Sequence, residues 1–296
     1  MKNLKICVLT QDNERFERHG WITKIVRIPI VWALGILPTW IGQKLFLAFS
    51  GSNGDARVAC RWPATYKPLE RMYTFYERKA KGETNISDNF WELFLDNARA
   101  IRNRLKLFER QLLKTIQETG QKEGKVNLLS LGSGSARGVF EIINSLNGQY
   151  PIRVKLIDIS KRALNFSKKL AFSYGINDIE PHRDLAENLE KYCNKDFQPD
   201  IIEMVGLLNY FPQKEALKLI RGIYEVLSLG GWFLVSNVMP NLEVPFTTKT
   251  INWSVIYRSP KELEELLLES GFRKIQVIIE PLKVHALAVC HKKEVV

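Results

Sequence analysis

Short apolar stretches alternate with longer amphipathic stretches over the second half of the chain. Each apolar stretch runs into polar or glycine-rich positions, as strands of a parallel sheet covered on both faces do. Five strands are predicted in this way, within residues 126–131, 154–158, 179–185, 200–205 and 232–238. Strands that alternate with helices predict a doubly wound α/β sheet.

The pattern changes towards the carboxyl end. Ser259 and Glu262 form a capping-box pattern with proline at the first helical position, which predicts a helix that stops at Gly271. Residues 274–279 and 284–289 then form two apolar stretches joined by only four residues. Because so short a link cannot make a parallel crossover, these strands must be antiparallel neighbours. The sequence therefore predicts a mostly parallel, seven-stranded sheet with one antiparallel strand.

The turn after the first of these strands contains two glycines, Gly132 and Gly134. Glycine permits the backbone angles of a tight turn and a close approach to a ligand, and the following helix presents free backbone N–H groups. A dinucleotide-binding turn would need glycine or alanine where Arg137 stands, and no Lys-Ser or Lys-Thr pair of a phosphate-binding loop follows. The turn predicts a nucleotide-like ligand of another class.

Acidic residues follow the next two strands. Asp158 ends the second strand, where a carboxylate can accept hydrogen bonds from both hydroxyls of a ribose. The alternative is that Asp158 only caps the next helix. Asp184 follows the third strand, at a position from which a side chain can reach an adenine amino group across the crevice.

Residues 125–292 resemble the class I S-adenosylmethionine-dependent methyltransferases. The resemblance depends on L-G-S-G-S at 131–135, on the two acids, and on L-S-L-G-G-W-F-L-V at 227–235. It implies a Rossmann-like fold and S-adenosylmethionine as cofactor, with the turn around the methionine part, Asp158 on the ribose, and Asp184 with Leu185 against the adenine. The cofactor-binding residues predicted are Gly132, Ser133, Gly134, Ser135, Asp158, Ile159, Asp184, Leu185 and Gly206.

Two positions depart from the pattern of that family. The family usually has an acid where Ser130 stands and a third glycine where Ala136 stands. The amino group of the cofactor must then find another acceptor. These departures leave open a non-catalytic protein that binds the cofactor in a regulatory or scaffold role.

Three short motifs resemble a bacterial subgroup that includes enzymes linked to the synthesis of fatty-acid methyl ester signals. They lie at residues 96–105, 237–241 and 252–258. This narrower resemblance implies a substrate pocket formed or supported by Tyr210, Trp253, Tyr257 and Arg258.

The segment after the fourth strand supplies the candidate catalytic residues, Asn209 and Tyr210. They are expected nearest the transferred methyl group, where they either hydrogen-bond the acceptor or support the site structurally. The segment lacks the Asn/Asp-Pro-Pro-aromatic pattern of enzymes that methylate exocyclic amino groups of bases. Methylation of a nucleic acid is therefore disfavoured.

Positive charge is concentrated before the predicted sheet. Residues 1–125 carry 22 Lys and Arg against 13 Asp and Glu, whereas residues 126–296 carry 21 against 19, within a net charge of +11. Such an extension faces an anionic partner or simply keeps the protein in solution.

We expect three parts: a basic, partly apolar helical extension (1–86), a connecting amphipathic helix (87–124) and the methyltransferase domain (125–296).

The connecting helix is predicted from apolar positions that recur at three- and four-residue steps between Trp91 and Leu112. Ser87 is expected to cap it, and the helix to run from about Asp88 to Glu118. Its cationic residues are expected to be solvated or paired with acids: Arg99, Arg102, Arg104 and Lys106. As an alternative, Arg102 or Arg104 binds the carboxylate of a substrate, which the planar guanidinium suits.

The most apolar window covers residues 28–42, where Pro29 and Pro38 are expected to break any helix. It is short for a membrane span and follows too polar a stretch for a signal peptide. Three interpretations stay open. The window packs on the catalytic domain, it lies in an anionic membrane surface through residues 21–49 and their tryptophans, or it spans the membrane.

The cysteines and histidines point to no metal site. Four cysteines lie far apart without a C-x-x-C pair, and four histidines show no ligand spacing. We expect reduced thiols and no metal.

The sequence predicts a cytoplasmic methyltransferase, peripheral to the inner face of a membrane if the apolar window binds there. Its preferred acceptor is a small or lipid-like molecule with a carboxylate or hydroxyl. An RNA or protein methyltransferase is an alternative, although no aromatic RNA-binding pattern is present. Transfer of an aminopropyl or aminocarboxypropyl group from the same cofactor is another.

Overall fold

The computed structural model describes residues 5–9, 16–48 and 54–293. Its centre is a mixed sheet with the strand order β1-β7-β8-β6-β5-β2-β3-β4. The strands are β1 (Lys5–Val8), β2 (Val126–Leu131), β3 (Ile152–Ile157), β4 (Ile179–His182), β5 (Ile201–Met204), β6 (Trp232–Val238), β7 (Lys274–Ile279) and β8 (His285–His291).

Helices cover both faces of this sheet and extend beyond its carboxyl edge. They are α1 (Trp21–Ile36), α2 (Thr39–Ala48), α3 (Asp55–Arg61), α4 (Tyr66–Tyr73), α5 (Phe75–Ala80), α6 (Ile86–Phe94), α7 (Asp96–Glu123), α8 (Arg137–Ser145), α9 (Lys161–Ser173), α10 (Gln213–Val226) and α11 (Pro260–Glu269). Short 3₁₀ turns occupy Ala186–Tyr192 and Leu208–Tyr210, and a π turn occupies Phe246–Thr250.

The predicted Rossmann-like sheet is confirmed. Strands β2 to β6 are parallel to their neighbours in this group, and β8 lies antiparallel between β6 and β7. Every residue of β2 is buried, as expected for a central strand covered on both faces. The predicted capping box also forms, since the Glu262 N–H donates to Ser259 Oγ at 3.2 Å and Glu262 accepts the Ser259 N–H at 2.7 Å.

The amino-terminal segment differs from the expected all-helical extension, because it begins with a strand. β1 pairs in parallel with β7, with Lys5 opposite Gln276 and Val8 opposite Ile279. Without it, β7 would present a row of unpaired backbone groups at the edge of the sheet. Four residues are too few to show a period, so the partner strand rather than the local pattern determines this element.

The single helix predicted from Asp88 to Glu118 is two helices. Asn85, not Ser87, caps α6 in a capping box with Asp88, and Leu95 between α6 and α7 has an extended backbone. The break is stabilised from a distance, because Glu243 accepts the backbone N–H groups of Asp96 at 2.5 Å and Asn97 at 3.1 Å.

Glu243 also holds α1 in place. Its carboxylate lies 2.5 Å from the Arg27 guanidinium, which pairs with Asp96 at 2.6 Å as well. Both Glu243 and Arg27 are buried. One carboxylate thus connects α1, the start of α7 and the chain that follows β6.

Replacement of Glu243 by alanine is expected to lower the free energy of unfolding by about 3 kcal/mol, because it leaves a buried guanidinium and two helix N–H groups without this acceptor. Chemical denaturation measures the loss. Glu265→Ala is the matched control, since Glu265 forms an exposed pair with Lys261 at 3.8 Å, and it should cost less than about 1 kcal/mol. Equal effects of the two changes would contradict the role of Glu243.

The same variant has an expected pH dependence. Burial and the Asp96 carboxylate raise the pKa of Glu243 to about 7. Between the ordinary pKa of glutamate and this value, the folded protein retains a proton that the unfolded chain has lost. The contribution of this group to stability therefore falls as the pH rises through this window. The free energy of unfolding of Glu243→Ala should accordingly fall less with rising pH than that of the wild type.

The expectation that Pro29 breaks the apolar window is wrong, whereas Pro38 does lie between two helices. α1 continues through Pro29, although a proline inside a helix removes one backbone hydrogen bond and its ring crowds the carbonyl group four residues earlier. None of the described helices is both long and apolar enough to cross a bilayer. None of the four cysteines forms a disulfide, and the described residues contain no group of three or more His, Cys, Asp or Glu side chains placed to hold a metal ion.

Candidate active site

A largely apolar cavity of about 520 Å³ lies at the carboxyl edge of the sheet, in the range usual for small-molecule sites. One part borders the glycine turn after β2 and the ends of β3 and β4. The other part lies under α4, α6, α7 and the chain after β6. The predicted site residues on its wall are Gly132, Gly134, Asp158, Ile159, Asp184, Leu185, Gly206, Arg104, Asn209, Tyr210, Trp253 and Tyr257.

The glycine turn is built as the sequence predicts. Gly132 has a φ of +61°, and a Cβ there would lie 2.8 Å from the Leu207 side chain. Gly134 has a φ of +54° and borders the cavity. Ser133 and Ser135, predicted to contact the cofactor, are buried and do not line the cavity wall.

Ala136, one of the two departures from the family pattern, also has a left-handed backbone, with a φ of +53°. This conformation costs a residue with a side chain about 1 kcal/mol relative to glycine. The helix α8 nevertheless begins directly after it. The turn therefore keeps its shape without the third glycine.

Asp158 connects the turn to the next helix. Its carboxylate accepts the Gly134 N–H at 2.8 Å and the Ser160 N–H at 2.7 Å. Burial raises the pKa of Asp158, while these two hydrogen bonds act in the opposite direction. Each carboxylate oxygen retains a further lone pair that can accept a hydrogen bond from a ligand. Ser160, rather than Asp158, caps α9 with its side chain.

Asp184 lies on the cavity wall but is already bound within its own loop. Its carboxylate accepts hydrogen bonds from the Asn188 amide at 2.7 Å, the Tyr192 hydroxyl at 2.7 Å and the Leu185 N–H at 2.8 Å. These bonds, that of Asn188 foremost, hold the pKa of Asp184 well below its ordinary value. Leu185 beside it is about half exposed and lies along the same wall.

Ser130, the other departure from the family pattern, lies beside a carboxylate of a neighbouring strand. The Ser130 hydroxyl donates to Glu203 of the neighbouring strand β5, and Glu203 also accepts the Val205 N–H at 3.0 Å. Burial raises the pKa of Glu203 to about 7. Sequence reasoning missed this residue, because only the register of β2 with β5 brings Glu203 opposite Ser130.

The candidate catalytic residues lie together after β5. The Trp253 indole N–H donates to the Tyr210 hydroxyl at 2.8 Å, so these two side chains share one side of the cavity. Asn209 is buried, and its side-chain oxygen accepts the Val238 N–H at 2.9 Å. The Asn209 amide therefore supports the backbone at this point.

Arg258 does not belong to the cavity wall, so of the two predicted roles its position fits support of the pocket and not contact with the substrate. Its buried guanidinium donates to the backbone carbonyl groups of Leu208 and Phe211, at 3.3 and 2.6 Å, and to the Asn237 side chain at 3.1 Å. It therefore positions the segment that carries Tyr210.

The two arginines proposed for substrate binding have different surroundings, and neither is solvated. Arg102 is buried in ion pairs with Glu17 and Glu92, each at 2.6 Å, and lies off the cavity wall. It is therefore not available to a substrate carboxylate. Arg104, two residues further along α7, is equally buried but faces the cavity.

Arg104 is a buried cation that forms no ion pair with a described residue, although its charge acts on the Glu203 carboxylate further away. It donates to the Tyr73 hydroxyl at 3.1 Å, whereas its Nε has no hydrogen-bond partner among the described residues. A Cβ on Gly206 would lie 3.3 Å from the guanidinium, so glycine at that position lets Arg104 lie against the backbone. Of the other described arginines below a tenth exposed, Arg27, Arg78 and Arg102 pair with carboxylates, whereas Arg258 donates to two backbone carbonyl groups and to Asn237.

Two further unpartnered polar groups line the same part of the cavity. His285 at the start of β8 is buried, and neither ring nitrogen has a partner among the described residues. Burial, reinforced by the charge of Arg104, lowers the pKa of His285 well below its ordinary value, so its imidazole is neutral at pH 7. The Tyr257 hydroxyl is likewise unpartnered. His285 was missed at the sequence level, where it is a lone polar residue in an apolar strand.

Comparison with known proteins identifies a family for this chain. Residues 69–292 match the model of a protein family described as "Putative methyltransferase". No curated protein matches the sequence.

Solved structures share the fold at low sequence identity. A possible exported protein from Bordetella parapertussis superposes with a TM-score of 0.71 at 15% identity, covering 94% of this chain and 98% of that one. The S-adenosylmethionine-dependent methyltransferase SibL in its apo form superposes with a TM-score of 0.54 at 15% identity, covering 94% and 79%.

The family match spans more than half of the chain, from α4 to the end of β8, and includes both parts of the cavity. The protein therefore belongs to this methyltransferase family.

Proposed function

We propose that the protein transfers a methyl group from S-adenosylmethionine to the carboxylate of a small or lipid-like acceptor held by Arg104. The observation that carries the proposal is the buried guanidinium of Arg104, which forms no ion pair with a described residue and lies on the wall of an apolar cavity. A buried charge without a partner is costly, so such a residue is expected where a ligand supplies the opposite charge.

The cofactor is expected in the part of the cavity that borders the glycine turn. Asp158 offers free lone pairs to a ribose, and the exposed Leu185 offers an apolar surface to an adenine. Glu203 does not line the cavity, but it places an acid beside Ser130, and its ionised form would favour a cationic ligand nearby. These features support S-adenosylmethionine, which carries a positive charge on its sulfur and on its amino group.

The remaining part of the cavity suits an apolar acceptor with one anionic end. Its wall includes Met72, Trp91, Ile101, Phe246 and Ile251, all nearly fully buried. S-adenosylmethionine supplies a methyl group that is already activated, so the protein has mainly to orient the acceptor and exclude water. Arg104 can fix both oxygens of a carboxylate, and a carboxylate needs no general base.

A hydroxyl acceptor is the second candidate, and His285 is the observation that favours it. Its neutral imidazole has both nitrogens unpartnered at the cavity wall. A neutral imidazole can remove the proton of a hydroxyl as the methyl group is transferred. Arg104 would then bind a separate anionic group of the acceptor.

An acceptor assay tests the proposal. The purified protein is incubated with methyl-labelled S-adenosylmethionine and either saturated fatty acids of increasing length or the matching alcohols. We expect labelled methyl esters from the acids. Label transferred only to added RNA or protein would favour the alternative acceptors, and binding of the cofactor without transfer to any acceptor would favour a regulatory or scaffold role.

His285→Gln separates the two acceptor classes. Transfer to a carboxylate is expected to change by no more than about threefold, because no proton has to be removed from the acceptor. Transfer to a hydroxyl is expected to fall by about 10²–10⁴, the usual contribution of a general base. Rates of labelled product with each acceptor, at saturating cofactor, measure the difference.

A further inference from the structure

One face of α1 is apolar and exposed. Trp21, Ile25, Ile28, Trp32 and Ile36 follow one another at steps of three and four residues, which places them along a single side of the helix. Their exposed fractions range from 52% for Ile28 to 74% for Trp21. Trp40 at the start of α2 is 63% exposed as well. So large a continuous apolar surface is unusual on a protein that meets only water.

The adjacent side of α1 fixes the orientation of this face. Arg27, Val31 and Gly35 are buried, and Arg27 is held by Glu243. A Cβ on Gly35 would lie 3.0 Å from the Cβ of Pro245, so the helix packs closely on the chain that follows β6. The helix is thus attached to the domain by a narrow polar and small-residue stripe, and its apolar face points outwards.

The charge around this face has one sign. Residues 21–54 contain no aspartate or glutamate, but include Lys24, Arg27 and Lys44. Lys24 and Lys44 are exposed, and the Lys44 ammonium lies 5.6 Å from the centre of the Trp40 ring. An exposed apolar stripe with tryptophans and flanking lysines is the pattern of helices that lie in the interface of anionic membranes.

We infer that the exposed face of α1, with Trp40, is a docking surface for a membrane that contains anionic lipids. The helix lies parallel to the bilayer, with the tryptophans and isoleucines among the upper acyl chains and the two lysines at the head groups. The inference does not depend on the identity of the methyl acceptor. The area is also connected to the cavity, because α1 and α2 pack on the turn Phe246–Thr250, and Phe246 is part of the cavity wall.

Co-sedimentation with vesicles tests the inference. The full-length protein is mixed with vesicles of equal parts phosphatidylcholine and phosphatidylglycerol, and with vesicles of phosphatidylcholine alone. We expect binding to the anionic vesicles and a decrease of at least about tenfold in partitioning for Ile25→Ser/Trp32→Ser, since both side chains leave water on docking. Lys24→Gln/Lys44→Gln should lose mainly the preference for phosphatidylglycerol.

The matched control is Phe172→Ser/Leu229→Ser, which removes apolar side chains of similar size that are 79% and 53% exposed on other elements. It should bind as the wild type does, and thermal melting verifies that each variant is folded. An equal loss in the control would overturn the inference, as would absence of wild-type binding to anionic vesicles. A dimer in buffer that only Ile25→Ser/Trp32→Ser abolishes, without vesicle binding, would instead assign the face to a second copy of the chain.

Discussion

Replacement of Asp158 by alanine is expected to lower the affinity for S-adenosylmethionine at least tenfold, and about a hundredfold if two hydrogen bonds to the ribose are lost. Each bond to a charged carboxylate is worth about 1.5–3 kcal/mol, and about 1.4 kcal/mol corresponds to a factor of ten. Both oxygens of Asp158 also accept backbone N–H groups, those of Gly134 and Ser160. The variant therefore also loses two hydrogen bonds that fix the backbone around the expected cofactor site. Isothermal titration with S-adenosylmethionine and S-adenosylhomocysteine measures the change.

A matched control is Asp196→Ala, which removes an exposed acid that does not line the cavity and should leave the affinity unchanged. The wild-type affinity should also fall at low pH. Since burial raises the pKa of Asp158, the carboxylate takes up a proton earlier in acidification than an exposed aspartate and then loses its charge-assisted bonds. Unchanged affinity in Asp158→Ala would remove the ribose assignment.

Replacement of Arg104 by glutamine is expected to lower kcat/KM for a carboxylate acceptor by about 10²–10³, with cofactor affinity unchanged. Loss of one partner of a buried charge pair costs about 2–5 kcal/mol, and the acceptor carboxylate would remain buried without its partner. Arg104→Lys should give an intermediate loss, because lysine retains the charge but not the planar pair of donors. Steady-state rates with the best fatty acid of the acceptor assay measure both variants.

Thermal stability distinguishes this role of Arg104 from a structural one. A guanidinium that only supports the fold would lower the melting temperature when it is removed. Arg104 has no carboxylate partner and one unsatisfied nitrogen, so its removal in the absence of acceptor should leave the melting temperature unchanged or raise it. A large fall in melting temperature together with a proportional loss of cofactor binding would contradict the proposed contact.

Local sequence patterns were sufficient for the seven strands β2 to β8, the glycine turn and the capping box of α11, but not for the eighth strand, β1. A buried parallel strand is an apolar run whatever surrounds it, and a capping box is formed by four consecutive residues. The break between α6 and α7 was not predictable in this way, because the acceptor for the first N–H groups of α7 is Glu243, about 150 residues away in the chain. Helical periodicity contains no information about such a partner.

The residues of the cavity wall were also only partly predictable from local sequence patterns. Arg102 and Arg104 have the same chemistry and lie two residues apart, so the sequence offers both as anion ligands. Only the packing of α7 turns Arg102 to Glu17 and Glu92 and turns Arg104 to the cavity. Similarly, the register of β5 with β2 brings Glu203 beside Ser130, and the register of β8 with β6 brings His285 opposite Val238 at the cavity. Neither register can be predicted from the sequence around the residue.

The pairing of β1 with β7 has a consequence for the order in which the protein is made. Lys5 and its partner Gln276 are about 270 residues apart, so at a synthesis rate of about 5–20 residues per second the first strand waits roughly 15–50 s for its neighbour. The sheet can assemble from β2 outwards during that time, whereas β1 has no edge to join. Among the strands of this sheet, β1 is therefore the first to be synthesised and one of the last to pair.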